Sequence, residues 1–341
     1  MKRQLSAAVL AAGLTALAAC GSTQPAADES DESTPSAASG DDCATSETAD
    51  EVTEGPITIT DDLGRTVELD EPATRVVSLE WQQTEDVLTL CVNPVGAADV
   101  EGYGTWDSAA DLPADTEDVG TRQEPSLDAV FAQDPDLIIV EPSSADDPRI
   151  AQLEEYGVPV LASVGADAED PIGKARDTFT MIAEALGKQA RAEEVLAQLD
   201  ASLEEGRAAI EAAAPESTDF VYFDAYVDGS NVSIRPFGQG ALMSEVGEEL
   251  GLTNAWTGEV DPVYGLGATD VEGLVAVEDA TVFYTETESA SWLEPLQDNA
   301  VWTGLDFVEN DRLLPFPEGI WTFGGPRSIQ QMVDAYVAQL S

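Results

Sequence analysis

The side chains that carry most enzyme chemistry are unevenly represented in this 341-residue chain. Histidine, the commonest general base and metal ligand, is absent. The chain contains 67 Asp and Glu residues but only 14 Lys and Arg residues. This composition is compatible with one class of enzyme, a secreted hydrolase that uses paired carboxylates. It has no Gly-x-Ser-x-Gly elbow and no distinctive cluster of metal ligands. We therefore expect a protein that is not an enzyme and has no catalytic residue, metal site or cofactor.

Arginine carries the cationic chemistry, because lysine is nearly absent. Arg235 precedes Pro236 in an apolar run, where a desolvated charge needs a specific reason. Arg122 follows a predicted strand in a loop, where it either faces a cleft or pairs with a neighbouring carboxylate. The formal net charge of -53 excludes nucleic acid and an anionic lipid surface as partners.

The N-terminus predicts where the protein works. Lys2 and Arg3 precede an apolar run that ends in Cys20, which is typical of a bacterial lipoprotein signal peptide over 1–20. Cys20 would then carry the lipid and anchor the protein to the outer face of the cell membrane. The alternative is an ordinary secretory signal that happens to contain a cysteine. Both interpretations place the mature protein outside the cytoplasm.

Two cysteines remain, Cys43 and Cys91, in an oxidising compartment. Cys43 lies in a segment rich in Ser, Thr, Pro, Asp and Glu, which predicts a disordered acidic tether over 21–55. Such a tether allows Cys43 to reach Cys91, but separate free thiols agree equally well with the sequence, because spacing alone fixes no geometry.

The body of the chain alternates short apolar runs with helical patterns, which predicts an α/β fold with central parallel-rich sheets. We expect an N-terminal α/β lobe over 56–170, a helical connector over 171–214 and a C-terminal α/β lobe over 215–341. In the connector, a helix over 188–213 would run roughly 40 Å and join the lobes. The fold class is therefore two Rossmann-like lobes joined by a long rigid interdomain helix. Ligands bind outside the carboxyl ends of the strands in such sheets.

Short motifs recur in a fixed order along this body. Each is a weak signal alone, but together they resemble the ferric-siderophore and cobalamin solute-binding proteins of ABC importers, and most nearly the hydroxamate carriers among them. The motifs include Ile59 to Arg65, Arg75 to Leu79, Val119 to Asp128, Gly251 to Asn254, Asn299 to Trp302 and Trp321 to Pro326.

The resemblance implies a ligand site between the lobes. A ferric siderophore presents a largely apolar exterior with oxygens around the metal, which suits aromatic walls and arginine donors. The iron would be held by the siderophore and not by protein ligands. The candidate site residues are Trp81, Tyr103, Trp106, Arg122, Arg235, Tyr264, Trp321, Phe323 and Arg327.

The chain also departs from the hydroxamate pattern. Gly104 stands where the family has an arginine, and Ser143 or Ser144 replaces a tyrosine. A hydroxamate ligand is favoured because a strongly negative body repels an anionic catecholate. Haem and cobalamin carriers share the fold, although the absence of histidine disfavours direct haem ligation. A further alternative is an adhesion or signalling lipoprotein that has kept the fold and lost the ligand.

The resemblance finally implies partners. One acidic residue on each lobe would meet arginines of the transmembrane permease subunits, and the matching positions are Asp128 and Glu272. The expected assembly is a monomer that binds a ferric siderophore, docks on an ABC permease and is held at the membrane through the lipid on Cys20.

Overall fold

The structure, a computed structural model, describes residues 41–229, 231–287 and 291–341. The predicted signal peptide, its Cys20 and the part of the predicted tether before residue 41 lie outside these ranges. Within them, none of the helices combines the length and the apolarity that a membrane crossing requires.

The N-terminal lobe is built on a five-stranded sheet with the order β5-β4-β3-β6-β7, and every pairing in it is parallel. A short antiparallel hairpin, β1-β2, precedes it. Apolar residues fill both faces of the sheet, because its strands are covered on both sides. In chain order the elements are α1 (Asp41–Thr45), β1 (Ile57–Thr60), β2 (Thr66–Leu69), β3 (Val76–Ser78), α2 (Trp81–Thr89), β4 (Gly96–Ala97), α3 (Val100–Trp106), β5 (Glu117–Asp118), α4 (Leu127–Ala132), β6 (Leu137–Val140), α5 (Pro148–Glu154) and β7 (Val160–Ala162).

Two helices connect the lobes, α6 (Pro171–Ala185) and α7 (Gln189–Ala213). Gly187 separates them in a left-handed conformation with φ +67°. At 1.5 Å per residue the 25 residues of α7 span about 38 Å. Val195 packs in the core of the N-terminal lobe and Ile210 in the core of the C-terminal lobe. The predicted connecting helix is therefore a single continuous helix that packs in the hydrophobic cores of both lobes.

The C-terminal lobe has a second five-stranded sheet, with the order β10-β8-β11-β12 and with β9 antiparallel to β8. The other pairings are parallel. Three short 3₁₀ helices, Glu272–Val277, Glu294–Leu296 and Trp302–Gly304, lie in its connections. Its strands and α-helices are β8 (Asp219–Asp228), β9 (Asn231–Phe237), α8 (Leu242–Glu249), β10 (Thr253–Asn254), β11 (Thr281–Tyr284), α9 (Asp306–Glu309), β12 (Leu313–Pro315) and α10 (Pro326–Leu340).

Residues 41–55 differ from the expected disordered tether, because they are packed on the body. Cys43 is bonded to Cys91, with the two Cα atoms 5.6 Å apart. Asp42 forms ion pairs with Arg191 of α7 and with Arg327 of α10, and Arg191 is fully buried. A buried guanidinium needs a carboxylate partner, and the composition of the segment gave no sign that Asp42 supplies it.

One side chain braces the two lobes directly. Glu85 of α2 is fully buried and accepts hydrogen bonds from the backbone N–H groups of Gly325, Arg327 and Ser328, at 2.9, 3.1 and 3.0 Å. The Ser328 hydroxyl donates a fourth bond at 2.7 Å. No side chain of α10 caps its own first turn, so Glu85 of the opposite lobe serves as that cap.

Candidate functional site

A cleft of about 750 Å³ lies between the lobes. Its residues on the N-terminal lobe follow the carboxyl ends of parallel strands, as the fold predicts. Glu80 and Trp81 come after β3, Arg122 after β5 and Glu141 after β6. The opposite wall is formed by Tyr222, Asp224, Tyr226, Arg235, Tyr264, Thr285, Glu286, Trp321 and Phe323 of the C-terminal lobe.

Arg122 lies between two indole rings. Its guanidinium carbon is 3.7 Å from the centre of the Trp81 ring and 5.5 Å from that of Trp321, and these two rings meet edge to face at 4.7 Å. Glu80 accepts a hydrogen bond from Nη1 of Arg122 at 2.6 Å. Cation–π contact and ion pairing together fix the orientation of Arg122. The prediction left open whether Arg122 faces a cleft or pairs with a carboxylate, and it does both.

Trp81 itself is held by the N-terminal end of α3 and its cap residue Asp99. Its indole Nε1 donates to the carbonyl of Asp99 at 3.2 Å. A Cβ at Gly102 would lie 2.4 Å from the ring, so only glycine permits this packing. Glu80 also accepts from the backbone N–H of Trp81 at 2.9 Å. This bond makes Glu80 the N-terminal cap of α2, which therefore begins at Trp81.

Arg235 lines the cleft from β9 and is directly opposite Asp224 of β8 in the strand register. Its Nε donates to Asp224 Oδ1 at 2.8 Å, and a second bond joins Nη2 to Oδ2. Burial alone would lower the pKa of Arg235, but the bonds and charge of Asp224 outweigh it and raise that pKa. The ring centres of Phe237 and Phe323 each lie 5.6 Å from the guanidinium carbon of Arg235. Arg235 is thus a permanent cation whose charge is matched by Asp224.

Tyr264 and Glu141 meet across the cleft, one from each lobe. The Tyr264 hydroxyl donates to Glu141 Oε1 at 2.7 Å. Burial and the nearby charge of Glu80 raise the pKa of Glu141 to about 7, although Tyr264 and two arginines oppose this shift. Burial and Glu141 also raise the pKa of Tyr264, which keeps its hydroxyl a neutral donor. The Tyr264 ring packs edge to face on Phe323 at 5.5 Å.

Most of the predicted site residues therefore lie on one cleft. The structure brings together Trp81, Trp106, Arg122, Arg235, Tyr264, Trp321 and Phe323. Trp106 is partly exposed on the N-terminal lobe, and Tyr226 at the end of β8 is 59% exposed on the other. Tyr222 and Tyr226 of β8 were missed, because the sequence does not show how far this strand projects along the cleft.

Two predicted site residues do not line the cleft. Tyr103 is buried beside Trp81 and Leu88, where its hydroxyl donates to the carbonyl of Ala110 at 2.7 Å. Arg327 follows Gly325 into the first turn of α10, and its side chain runs toward α7, where it bonds Gln198 at 2.7 Å and pairs with Asp42. Neither side chain faces the cleft, because packing in the core and on the connecting helix uses both of them.

The cleft also contains carboxylates that sequence reasoning missed, namely Glu80, Glu141, Asp224 and Glu286. Against 67 acidic residues, composition could not single them out. The signal that could have found two of them is position, since Glu141 follows the buried strand β6 directly and Glu80 follows β3 after one residue. The described residues contain no group of three or more Asp, Glu or Cys that is arranged to hold a metal ion.

The two predicted docking residues are exposed, one on each lobe. Asp128 lies in the first turn of α4, whose cap is Ser126, and Glu272 begins the 3₁₀ helix Glu272–Val277. Neither residue takes part in an ion pair within the described ranges. Their carboxylates are therefore available to a cationic partner.

The fold and the cleft define a two-lobed solute-binding protein. Residues 76–318 match the family model described as periplasmic binding protein, and the chain belongs to that family. The iron(3+)-hydroxamate-binding protein FhuD of Escherichia coli (strain K12) is 28% identical over 265 residues, which cover 76% of this chain and 84% of that protein. The Fe(3+)-citrate-binding protein YfmC of Bacillus subtilis (strain 168) is 28% identical over 272 residues, with coverage of 79% and 81%.

Solved structures show the same architecture. The Fe3+–Desferal-bound siderophore-binding protein FhuD from Vibrio cholerae has a TM-score of 0.69 at 26% identity, over 78% of this chain and 97% of that one. The triscatecholate siderophore-binding protein FeuA from Bacillus subtilis has a TM-score of 0.66 at 18% identity, over 83% and 97%. The predicted fold class is confirmed by these likenesses.

Proposed function

We propose that this protein captures a ferric siderophore of the hydroxamate type in the interlobe cleft and delivers it to an ABC permease for iron uptake. The main support for this proposal is the aromatic cleft between the lobes, which contains Trp81, Arg122, Arg235 and Trp321. The lobes that form the cleft are held together by the hydrogen bonds of Glu85. Indole and phenyl rings cover the apolar exterior of a chelate, while guanidinium groups donate to oxygens around its metal. Relatives named for binding ferric hydroxamate and ferric citrate support the ligand class.

The ligand leaves this cleft chemically unchanged. Glu80 and Glu141, the carboxylates that a hydrolase would use, are bonded to Arg122 and to Tyr264. Neither bond aims a nucleophile at a substrate, and the chain has no histidine to act as a base. The iron needs no protein ligand, because the siderophore's own oxygens surround it. A haem carrier is disfavoured by the same lack of histidine.

The binding step is tested by quenching of tryptophan fluorescence during titration with the ferric complex of desferrioxamine B. Trp81 and Trp321 line the cleft, so a bound ferric chelate should quench their emission in a saturable way. Haem and cobalamin, titrated separately and examined by native mass spectrometry, test the alternative ligands. Saturable binding of haem or cobalamin with no binding of any ferric chelate would contradict the proposal, and binding of no ligand would favour the adhesion or signalling alternative.

Delivery is proposed to use Asp128 and Glu272 as the contacts of a monomer with the permease. The double change Asp128→Ala with Glu272→Ala should leave siderophore binding intact and reduce iron uptake by cells. The matched control is Glu204→Ala with Glu205→Ala, because these two acids are exposed on α7 and the variant has the same net charge. Equal uptake by both variants would remove the docking proposal.

Anchoring is proposed to depend on Cys20, outside the cytoplasm and at the outer face of the cell membrane. Cys20→Ser should release the protein from the membrane fraction without affecting the ligand affinity of the purified body, because the cleft lies entirely within the described residues. Retention of the serine variant in washed membranes would contradict lipidation at this position.

A further inference from the structure

The charges that face the cleft do not balance. Among the described residues that line it, the cations are Arg122 and Arg235, and the anions are Glu80, Glu141, Asp224 and Glu286. Glu80 is the ion-pair partner of Arg122, and Asp224 is that of Arg235. These two ion pairs compensate the charges of both guanidinium groups. The other two carboxylates have no cationic partner among these lining residues.

Among the described residues, the two surplus carboxylates, Glu141 and Glu286, have only neutral hydrogen-bond donors. Glu141 accepts from the Tyr264 hydroxyl at 2.7 Å. Glu286 accepts from the Ser291 hydroxyl and, at 3.2 Å, from the backbone N–H of Leu293. Neither forms an ion pair with an arginine or lysine of the described ranges. A hydroxyl or amide orients a carboxylate but cannot cancel its charge.

Uncompensated negative charge in a partly dehydrated cleft acts on whatever enters it. The effective dielectric there is lower than in water, so a charge is felt more strongly than on an open surface. An anionic chelate would meet repulsion, and a neutral chelate would gain nothing from these two groups. A ligand with a protonated amine would be attracted and would receive charge-assisted hydrogen bonds. Burial first and the charge of Glu80 second raise the pKa of Glu141 to about 7, against the opposing charges of Arg122 and Arg149, so most of this group is ionised at pH 7.5.

We infer that the cleft selects ferric hydroxamates that carry a protonated amine, with Glu141 and Glu286 supplying the negative field that receives the ammonium group. This inference rests on the proposed function and adds a charge requirement to it. The three hydroxamate anions neutralise Fe³⁺, so the selected complex is a monocation. Arg122 and Arg235, each already paired, act toward the ligand as hydrogen-bond donors and not as unbalanced charges.

The test uses two ligands that differ in one group. Desferrioxamine B ends in a primary amine, and N-acetylation removes that charge while leaving the three hydroxamates and the iron unchanged. Isothermal titration at pH 7.5 should give the amine complex an affinity about tenfold or more above that of the acetylated complex. In Glu141→Gln with Glu286→Gln, the preference should fall to about twofold or less, mainly through weaker binding of the amine complex.

A control separates the local field from the charge of the whole body. Glu204→Gln with Glu205→Gln removes the same two charges from the exposed surface of α7 and should keep the full preference. Equal affinity of the wild type for both complexes, or an unchanged preference in the cleft variant, would overturn the charge selection while leaving hydroxamate capture standing. Failure of both complexes to bind would overturn hydroxamate capture, and the charge selection with it.

Discussion

Replacing Glu85 with glutamine should loosen the brace between the lobes without changing the volume of the side chain. In the wild type, Oε2 accepts from Gly325 N and Ser328 Oγ, and Oε1 accepts from Arg327 N and Ser328 N. A glutamine retains one accepting oxygen. Its amide nitrogen takes the place of the other oxygen but cannot accept a hydrogen bond, in a site without access to water.

The cost follows from the number of donors left without a partner. With the amide nitrogen in the Oε2 position, the Ser328 hydroxyl can turn to accept from it, but the Gly325 N–H cannot. One buried backbone donor is then unpaired. Because an unsatisfied buried group costs about 1–3 kcal/mol, we expect a loss of about 2 kcal/mol in the free energy of unfolding.

Urea unfolding followed by circular dichroism measures this loss, and hydrogen exchange locates it. The amides of Gly325, Arg327 and Ser328 should exchange faster in the glutamine variant than in the wild type. Glu205→Gln, on the exposed side of α7, is the control and should change stability by less than about 0.5 kcal/mol. A Glu85 variant as stable as this control, with unchanged exchange at the start of α10, would refute the idea that Glu85 holds the lobes together.

Three other changes test other parts of the structure. Cys43→Ser with Cys91→Ser should lower the free energy of unfolding by about 4 kcal/mol, from the chain entropy of a closed loop with a sequence separation of 48; a urea midpoint equal to that of the oxidised wild type would contradict this. Burial and the charges of Glu85 and Asp107 raise the pKa of Asp86, and its oxygens have no partner among the described residues. The stability that goes with a protonated Asp86 is therefore present in full below pH 4 and is lost as the pH rises through the raised pKa. Asp86→Asn should therefore stabilise the protein by about 1–3 kcal/mol at pH 8 and less at pH 4, and equal urea midpoints of variant and wild type at pH 8 would oppose this sign. Trp321→Ala should weaken ferric desferrioxamine B binding by about 1–3 kcal/mol in a calorimetric titration, and an unchanged affinity would remove Trp321 from the site.

Local pattern was sufficient to predict most of the fold. The predicted connecting helix over 188–213 is observed as Gln189–Ala213, because its alanine-rich sequence and Gly187 fix both its type and its start. The strands Leu137–Val140 and Thr281–Tyr284 are short apolar runs of the kind that predicted the α/β fold. Segment 41–55 could not be predicted in this way, because its order comes from a disulfide and from ion pairs with residues about 150 or more positions away.

The candidate site was predicted in part, and the reason for the difference is physical. Aromatic residues near strand ends, such as Trp81 and Trp321, were found because the resemblance marks their positions. Arg327 was misplaced because a motif gives a position in the chain but not a side-chain direction. The carboxylates Glu141 and Glu286 were missed because acids occur throughout the sequence, and only the folded pairing of charges shows which of them are unmatched.

We propose that the cleft between the lobes holds an intact iron chelate. A crystal of the protein grown with ferric desferrioxamine B, with data collected at the iron absorption edge, would show where the iron lies and what surrounds it. We expect one strong anomalous peak between the lobes, within contact distance of the siderophore oxygens and facing Trp81, Arg122 and Trp321. An iron peak on the outer surface, or iron bound by protein carboxylates after it has been removed from the chelator, would contradict it.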